Sequence, residues 1–220
     1  GNVLIAMGLA ALIAFGYQYK TGEPLMNADQ IAYQLHSIDP FAGTLWFAAI
    51  AGVWLFCSGI ISGYFDNRSN YLNMRMRLTQ HPLLKKLMSE KTRVKFANYM
   101  HENYGSLIGN LCFGMLLGIT GVVGYLTHLP LDIRHVAFSS ANVGYIAVSG
   151  QFTYSLLLQC IGFVLLIGLV NLIVSFSLTL WVALRSLNAE IESWWPIWHE
   201  VFQIVKKRPL SLFLPVQLDK

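Results

Sequence analysis

Residues 41–64 read FAGTLWFAAIAGVWLFCSGIISGY, residues 66–104 read DNRSNYLNMRMRLTQHPLLKKLMSEKTRVKFANYMHENY, and residues 106–126 read SLIGNLCFGMLLGITGVVGYL. The two outer stretches hold no Asp, Glu, Lys or Arg, whereas the middle one holds eight of the fifteen Lys and Arg in the chain. At a rise of about 1.5 Å per residue the first stretch covers about 36 Å, enough for a hydrocarbon core of about 30 Å with some tilt. The pattern predicts two membrane-spanning helices joined by a basic segment.

Two more apolar stretches extend this reading. Residues 3–19 are rich in Ala and Gly and just long enough to span, with Tyr17 and Tyr19 suited to the interface at the far end. Residues 152–184 would make about 50 Å of helix, so this span must tilt, kink or project beyond the core. Within it Gln159, Asn171, Ser175 and Ser177 are expected to hydrogen-bond to other helices. Between the first two spans, residues 20–40 read as a loop with a short helix over 27–36, capped by Asn27 or Asp29. The chain is 55% hydrophobic and 12% charged, half the charge of a typical soluble domain at about 25%. The fold class is an all-α integral membrane protein with four transmembrane helices. Its expected divisions are a hairpin (1–65), a basic segment (66–104), spans three and four (105–184) and a tail (185–220). The chain opens on Gly1 with no basic leader, so 1–19 reads as a span rather than a removable signal, and an upstream region is expected.

Charge sets the orientation. With the basic segment and the C-terminus inside, Arg185, Lys206, Lys207, Arg208 and Lys220 join the eight, leaving only Lys20 and Arg134 elsewhere. The positive-inside rule then places both termini in the cytoplasm. In the basic segment, Pro82 starts a helix. Leu83, Leu84, Leu87, Met88, Val94 and Phe96 favour one face, and Lys85, Lys86, Lys91, Arg93 and Lys95 mostly the other. This fits a cytoplasmic amphipathic helix on anionic lipid. It fits nucleic acid less well, because no aromatic residues interleave with the charges. Trp194, Trp195, Trp198 and Phe202, followed by Lys206, Lys207 and Arg208, read as a second interfacial helix. The pairs Gly59/Gly63, Gly105/Gly109 and Gly114/Gly118 have the spacing of close helix contacts, within the bundle or with protein partners or a second copy.

Residues 128–150 read HLPLDIRHVAFSSANVGYIAVSG. Here alone charged residues abut a stretch that is still apolar. Residues 136–149 are too few to cross and too apolar for a free loop, so a re-entrant helix between spans three and four is expected. One reading makes Asp132, Arg134, His135, Ser139, Ser140 and Asn142 a ligand site, with the free N–H groups of the helix start completing an anion pocket. The other is structural: Asp132 pairs with Arg134 and caps the helix, while Ser139, Ser140 and Asn142 satisfy buried backbone. His135 near Ser139 and Ser140 suggests a nucleophile pair, but no neighbouring residue is placed to activate either serine. There is no His-Glu-x-x-His, no cysteine pair, no glycine-rich phosphate loop and no acidic cluster, so neither metal nor cofactor is expected. Cys57, Cys112 and Cys160 read as apolar packing residues.

The phrase LPLDIRHVAFSSAN (129–142), with GNLCFG (109–114) before it and SFSL (175–178) after it, resembles the bacterial membrane-protein family labelled site-specific recombinase, the Gcr-type family. The resemblance covers most of the chain, from span two to Arg185, and implies the C-terminal membrane part of a longer protein in the bacterial inner membrane. Two functions stand side by side. The residues favour binding or transport of a small anionic or lipid ligand, or a scaffold for a membrane complex. The resemblance implies DNA recombination. A membrane-embedded lipid-modifying enzyme is a third reading.

Overall fold

The structure is a computed structural model that describes residues 2–129, 131, 133–150, 153–187, 193 and 195–207. Among them all regular structure is helical: α1 (Asn2–Thr21), α2 (Ala28–Ile38), a 3-10 turn (Pro40–Ala42), α3 (Thr44–Tyr71), α4 (Met74–Gln80), α5 (Pro82–Leu87), α6 (Glu90–Thr127), α7 (Val136–Val148), α8 (Tyr154–Ser186) and α9 (Trp195–Lys207). Four of these, α1, α3, α6 and α8, are long and apolar enough to cross a membrane, as the sequence predicts.

Local chemistry explains the helix ends. The Asn27 side chain accepts the Gln30 N–H at 2.8 Å and the Gln30 side chain accepts the Asn27 N–H at 2.9 Å, so Asn27 caps α2 in a reciprocal box. Helix α3 starts at Thr44 rather than 41, because Pro40–Ala42 make a 3-10 turn and Gly43 takes the left-handed conformation at φ 79°. The basic segment differs more from expectation. Asn73, at φ 48°, separates α3 from α4. The helix begun at Pro82 stops at Leu87, where Met88 turns extended. Ser89 then caps a new helix by accepting the Thr92 N–H, with Glu90 in the first turn. Lys91, Arg93, Val94, Lys95 and Phe96 therefore belong to the same 38-residue helix as span three.

Two helix pairs approach backbone to backbone. Along α3 and α6, Gly105 lies against Asp66 and the Ser62 carbonyl, and its N–H donates to Asp66 Oδ1 at 3.0 Å. A Cβ at Gly109 would stand 3.0 Å from the Ser58 carbonyl oxygen. Trp54 Nε1 donates to Thr120 Oγ1 at 3.1 Å farther along the same pair. In the second pair, Gly144 of α7 lies against the Met7 carbonyl and Ala10 of α1. The Gly105/Gly109 expectation thus holds within the chain. At Gly59, Gly63, Gly114 and Gly118 an added Cβ would instead meet nothing within 4 Å. A buried cluster of Ile38, Ala48, Val143, Cys160, Val164 and Ile167 joins α2, α3, α7 and α8.

The chain divides into two units, residues 1–179 and 180–220. In the second, α9 exposes Trp195, Trp198 and Phe202 and ends on Lys206 and Lys207. Trp194, Arg208 and Lys220, which the tail expectation also used, lie outside the described residues.

Candidate functional site

After α6 the chain reverses. His128 adopts the left-handed conformation at φ 55°, and the next residues run back along the helix they have just left. Leu131 lies against Gly124, and the His135 ring meets Phe113 edge-on with centroids 4.9 Å apart. Gly124 to Phe113 is about 16 Å of helix, so the contacts of Leu131 and His135 fall well apart along α6. Helix α7 then leads away in a new direction. Val136 packs on Gly168, and Val143 shares the core cluster with Cys160 and Val164, so α7 runs antiparallel to α8.

One side chain ties this reversal down. Asn171, on α8 and 2% exposed, donates from Nδ2 to the Ala48 carbonyl at 2.7 Å and to the Arg134 carbonyl at 3.2 Å. Its Oδ1 accepts the Val136 N–H at 3.1 Å. Both amide hydrogens and the carbonyl are in use. Asn171 thereby joins α3, the return segment and the first turn of α7. Of the four polar residues expected to bond between helices, it is the one that knots three elements together.

Those of the residues singled out in the sequence that are described take different partners. His135 is the N-cap of α7, where Nδ1 accepts the Ala137 N–H at 3.4 Å and the ring lies between Phe113 and Phe138. Ser139 and Ser140 are 1% and 0% exposed, and the Ser140 hydroxyl donates to the Val136 carbonyl at 2.6 Å within the helix. Asn142 Nδ2 donates to Gln34 Oε1 at 2.6 Å, fastening α7 to α2. Asp132 lies outside the described residues. The N–H groups of Val136 and Ala137, which an anion at the helix start would use, are both taken by the chain's own side chains.

Arg134 goes elsewhere. Its side chain lines a pocket of about 150 Å³ with Tyr33, His36 and Ser37 of α2, Ala42, and Thr44 and Phe47 of α3. Ser37 Oγ donates to the Gln34 carbonyl at 2.7 Å and Thr44 Oγ1 to the Ser37 carbonyl at 3.1 Å. Those two hydroxyl protons are spent inside the wall. Arg134 and His36 thus line the same pocket, together with the aromatic residues Tyr33 and Phe47. Tyr33 and His36 were missed in the sequence because they lie about 100 residues from Arg134. Their signal was the three-residue spacing that puts both on one face of a well-capped helix. No group of three or more His, Cys, Asp or Glu able to hold a metal occurs among the described residues.

A family model described as site-specific recombinase matches residues 1–215. The chain belongs to the site-specific recombinase family. The match takes in all four long helices, the return segment and α9, which is wider than the phrases quoted above would require. No curated protein and no solved structure matches this site-specific recombinase family chain.

Proposed function

We propose that this member of the site-specific recombinase family is a multipass inner-membrane binding domain. In this reading residues 128–150 are re-entrant, both termini and the basic segment are cytoplasmic, and Arg134 receives a small anionic group. The observation that supports it is the pocket that Arg134 and His36 line together, on a backbone whose Arg134 carbonyl accepts from buried Asn171. Irregular backbone at membrane depth is tolerated when it is buried in protein or lines a cavity. The DNA-recombination reading is supported less well. Strand transfer by covalent catalysis needs an accessible, activated nucleophile beside charge-stabilising groups. Ser139 and Ser140 are buried, and the latter's hydroxyl is already bonded.

Two experiments test this. Orientation is read by labelling single cysteines introduced at Asn27 and Ser89 in intact cells. The lysine and arginine asymmetry predicts that only Asn27→Cys reacts with an impermeant reagent, and the opposite result would invert the topology. Ligand binding is read by thermal shift of the detergent-extracted protein with phosphatidylglycerol or with inorganic phosphate. A stabilisation is expected that disappears in both Arg134→Ala and His36→Ala. At a ligand concentration 100 times Kd it amounts to about 2.7 kcal/mol. The same shift in wild type and Arg134→Ala would remove the site from the pocket.

A further inference from the structure

The end of the α3–α6 pair remote from the Arg134 pocket carries a second surface of different character. Past Tyr71 the chain stays alongside α6: Ser69 Oγ hydrogen-bonds His101 Nδ1 at 3.0 Å, and Arg75 Nε donates to Asn98 Oδ1. Helix α5 then closes the turn into Glu90. Apolar sequence on α3 ends at Asp66, which meets Gly105. Glu90 is fifteen residues farther along α6, about 22 Å if the helix is straight. A headgroup layer adds only about 5–8 Å to each side of the hydrocarbon core. If Asp66 marks the edge of the core and α6 stays upright, residues 80–90 lie beyond the headgroup layer. The expectation of a helix lying on lipid was built on an amphipathic pattern across 82–96, and the break at Met88–Ser89 divides that pattern between two helices.

In water this knob is unusual. Residues 67–100 contain eight Lys and Arg and a single acid, Glu90. On α5, Leu83 is 61% and Leu87 77% exposed. Four residues apart, they share one face of the short helix, with Lys86 beside them. Exposed leucines ringed by lysines match a partner that is both acidic and apolar. We propose that the α4–α5 knob docks an acidic amphipathic segment of a protein partner, its carboxylates on Lys85, Lys86 and Lys91 and its apolar side chains on Leu83 and Leu87. Duplex DNA would match the charge but offers the leucines nothing to cover them. On the spacing above, the protein's own bilayer is too far from Leu83 and Leu87 to cover them.

The test uses the whole chain in nanodiscs and a fluorescent synthetic helical peptide with glutamates on one face and leucines on the other. Binding is expected to weaken as salt rises. Leu83→Ser with Leu87→Ser should cost about tenfold in affinity, as should a probe peptide with serines in place of its leucines. Lys85→Glu with Lys86→Glu should cost at least as much. All four positions are exposed, so the variants are expected to keep the parent melting temperature, and a variant that does not is replaced by Leu87→Asn alone. Three outcomes overturn the proposal: affinity indifferent to the leucines, tighter binding to random-sequence duplex DNA than to the peptide, or quenching of a fluorophore on Leu87→Cys by brominated phosphatidylglycerol in the disc. Each would leave the Arg134 pocket untouched.

Discussion

Asn171→Leu is expected to cost about 3 kcal/mol and to release the return segment. Interhelical side-chain hydrogen bonds in membranes are individually worth about 0.6 kcal/mol and rarely more than about 1.7. On that scale three bonds would account for about 2 kcal/mol. The larger contribution comes from what leucine leaves behind. The Val136 N–H heads α7 and accepts no substitute from its own helix, since the first N–H groups of a helix have no internal partner. Where water is excluded, an unsatisfied amide costs several kcal/mol. Asn171→Asp is the informative companion. It keeps an acceptor for Val136 but loses both donations, to Ala48 and Arg134, and buries a carboxylate, so it should destabilise no less. Unfolding in mixed micelles and hydrogen exchange at Val136 read the two effects. A loss under about 1 kcal/mol, with Val136 exchange unchanged, would mean that the knot does not hold the reversal.

Alanine at the glycines should divide them by sign. Gly144→Ala would drive a methyl into the Met7 backbone carbonyl, and Gly105→Ala into both the Ser62 carbonyl and the Asp66 carboxylate that bonds the same residue's N–H. Backbone cannot swing aside as a flexible side chain can. Both changes are expected at or above the upper end of the usual overpacking cost, about 3 kcal/mol. Gly59→Ala and Gly118→Ala meet nothing within 4 Å and gain helix propensity, so they should be neutral or stabilising by up to about 1 kcal/mol. Melting temperatures of the four variants in one detergent decide the matter. Equal losses at Gly59 and Gly105 would show that the α3–α6 contact is elsewhere. If Gly118→Ala melts early only in bilayers, its open face is covered there by another helix.

Spans were legible because hydropathy over twenty residues is a sum in which single exceptions do not matter. Caps were legible where donor and acceptor lie three residues apart, as at Asn27 and Gln30. Contacts across the chain were not. Gly59/Gly63 and Gly105/Gly109 have the same spacing, and only the rotation of each helix about its axis separates open space from a carbonyl. The polar motif was singled out in the sequence, and its residues were pooled by sequence proximity. Ile133 and Arg134 line different cavities although adjacent in sequence, and Arg134 finds its company on α2 and α3. Asn171 was visible as a polar residue in an apolar span. Its three partners lie up to 123 residues away and could not be read from its own neighbourhood.

That separation also sets an order of events during synthesis. The return segment leaves the ribosome before the residue that anchors it, since Val136 and its acceptor are 35 positions apart. At about 5–20 residues per second the delay is a few seconds. Until α8 arrives, α7 has no acceptor for its leading amide at Val136 and no wall on the side of Gly168. The packing of α7 is therefore completed only once α8 has been made. Slowing or stalling translation between residues 150 and 171 would lengthen the interval in which it is open to proteases and chaperones.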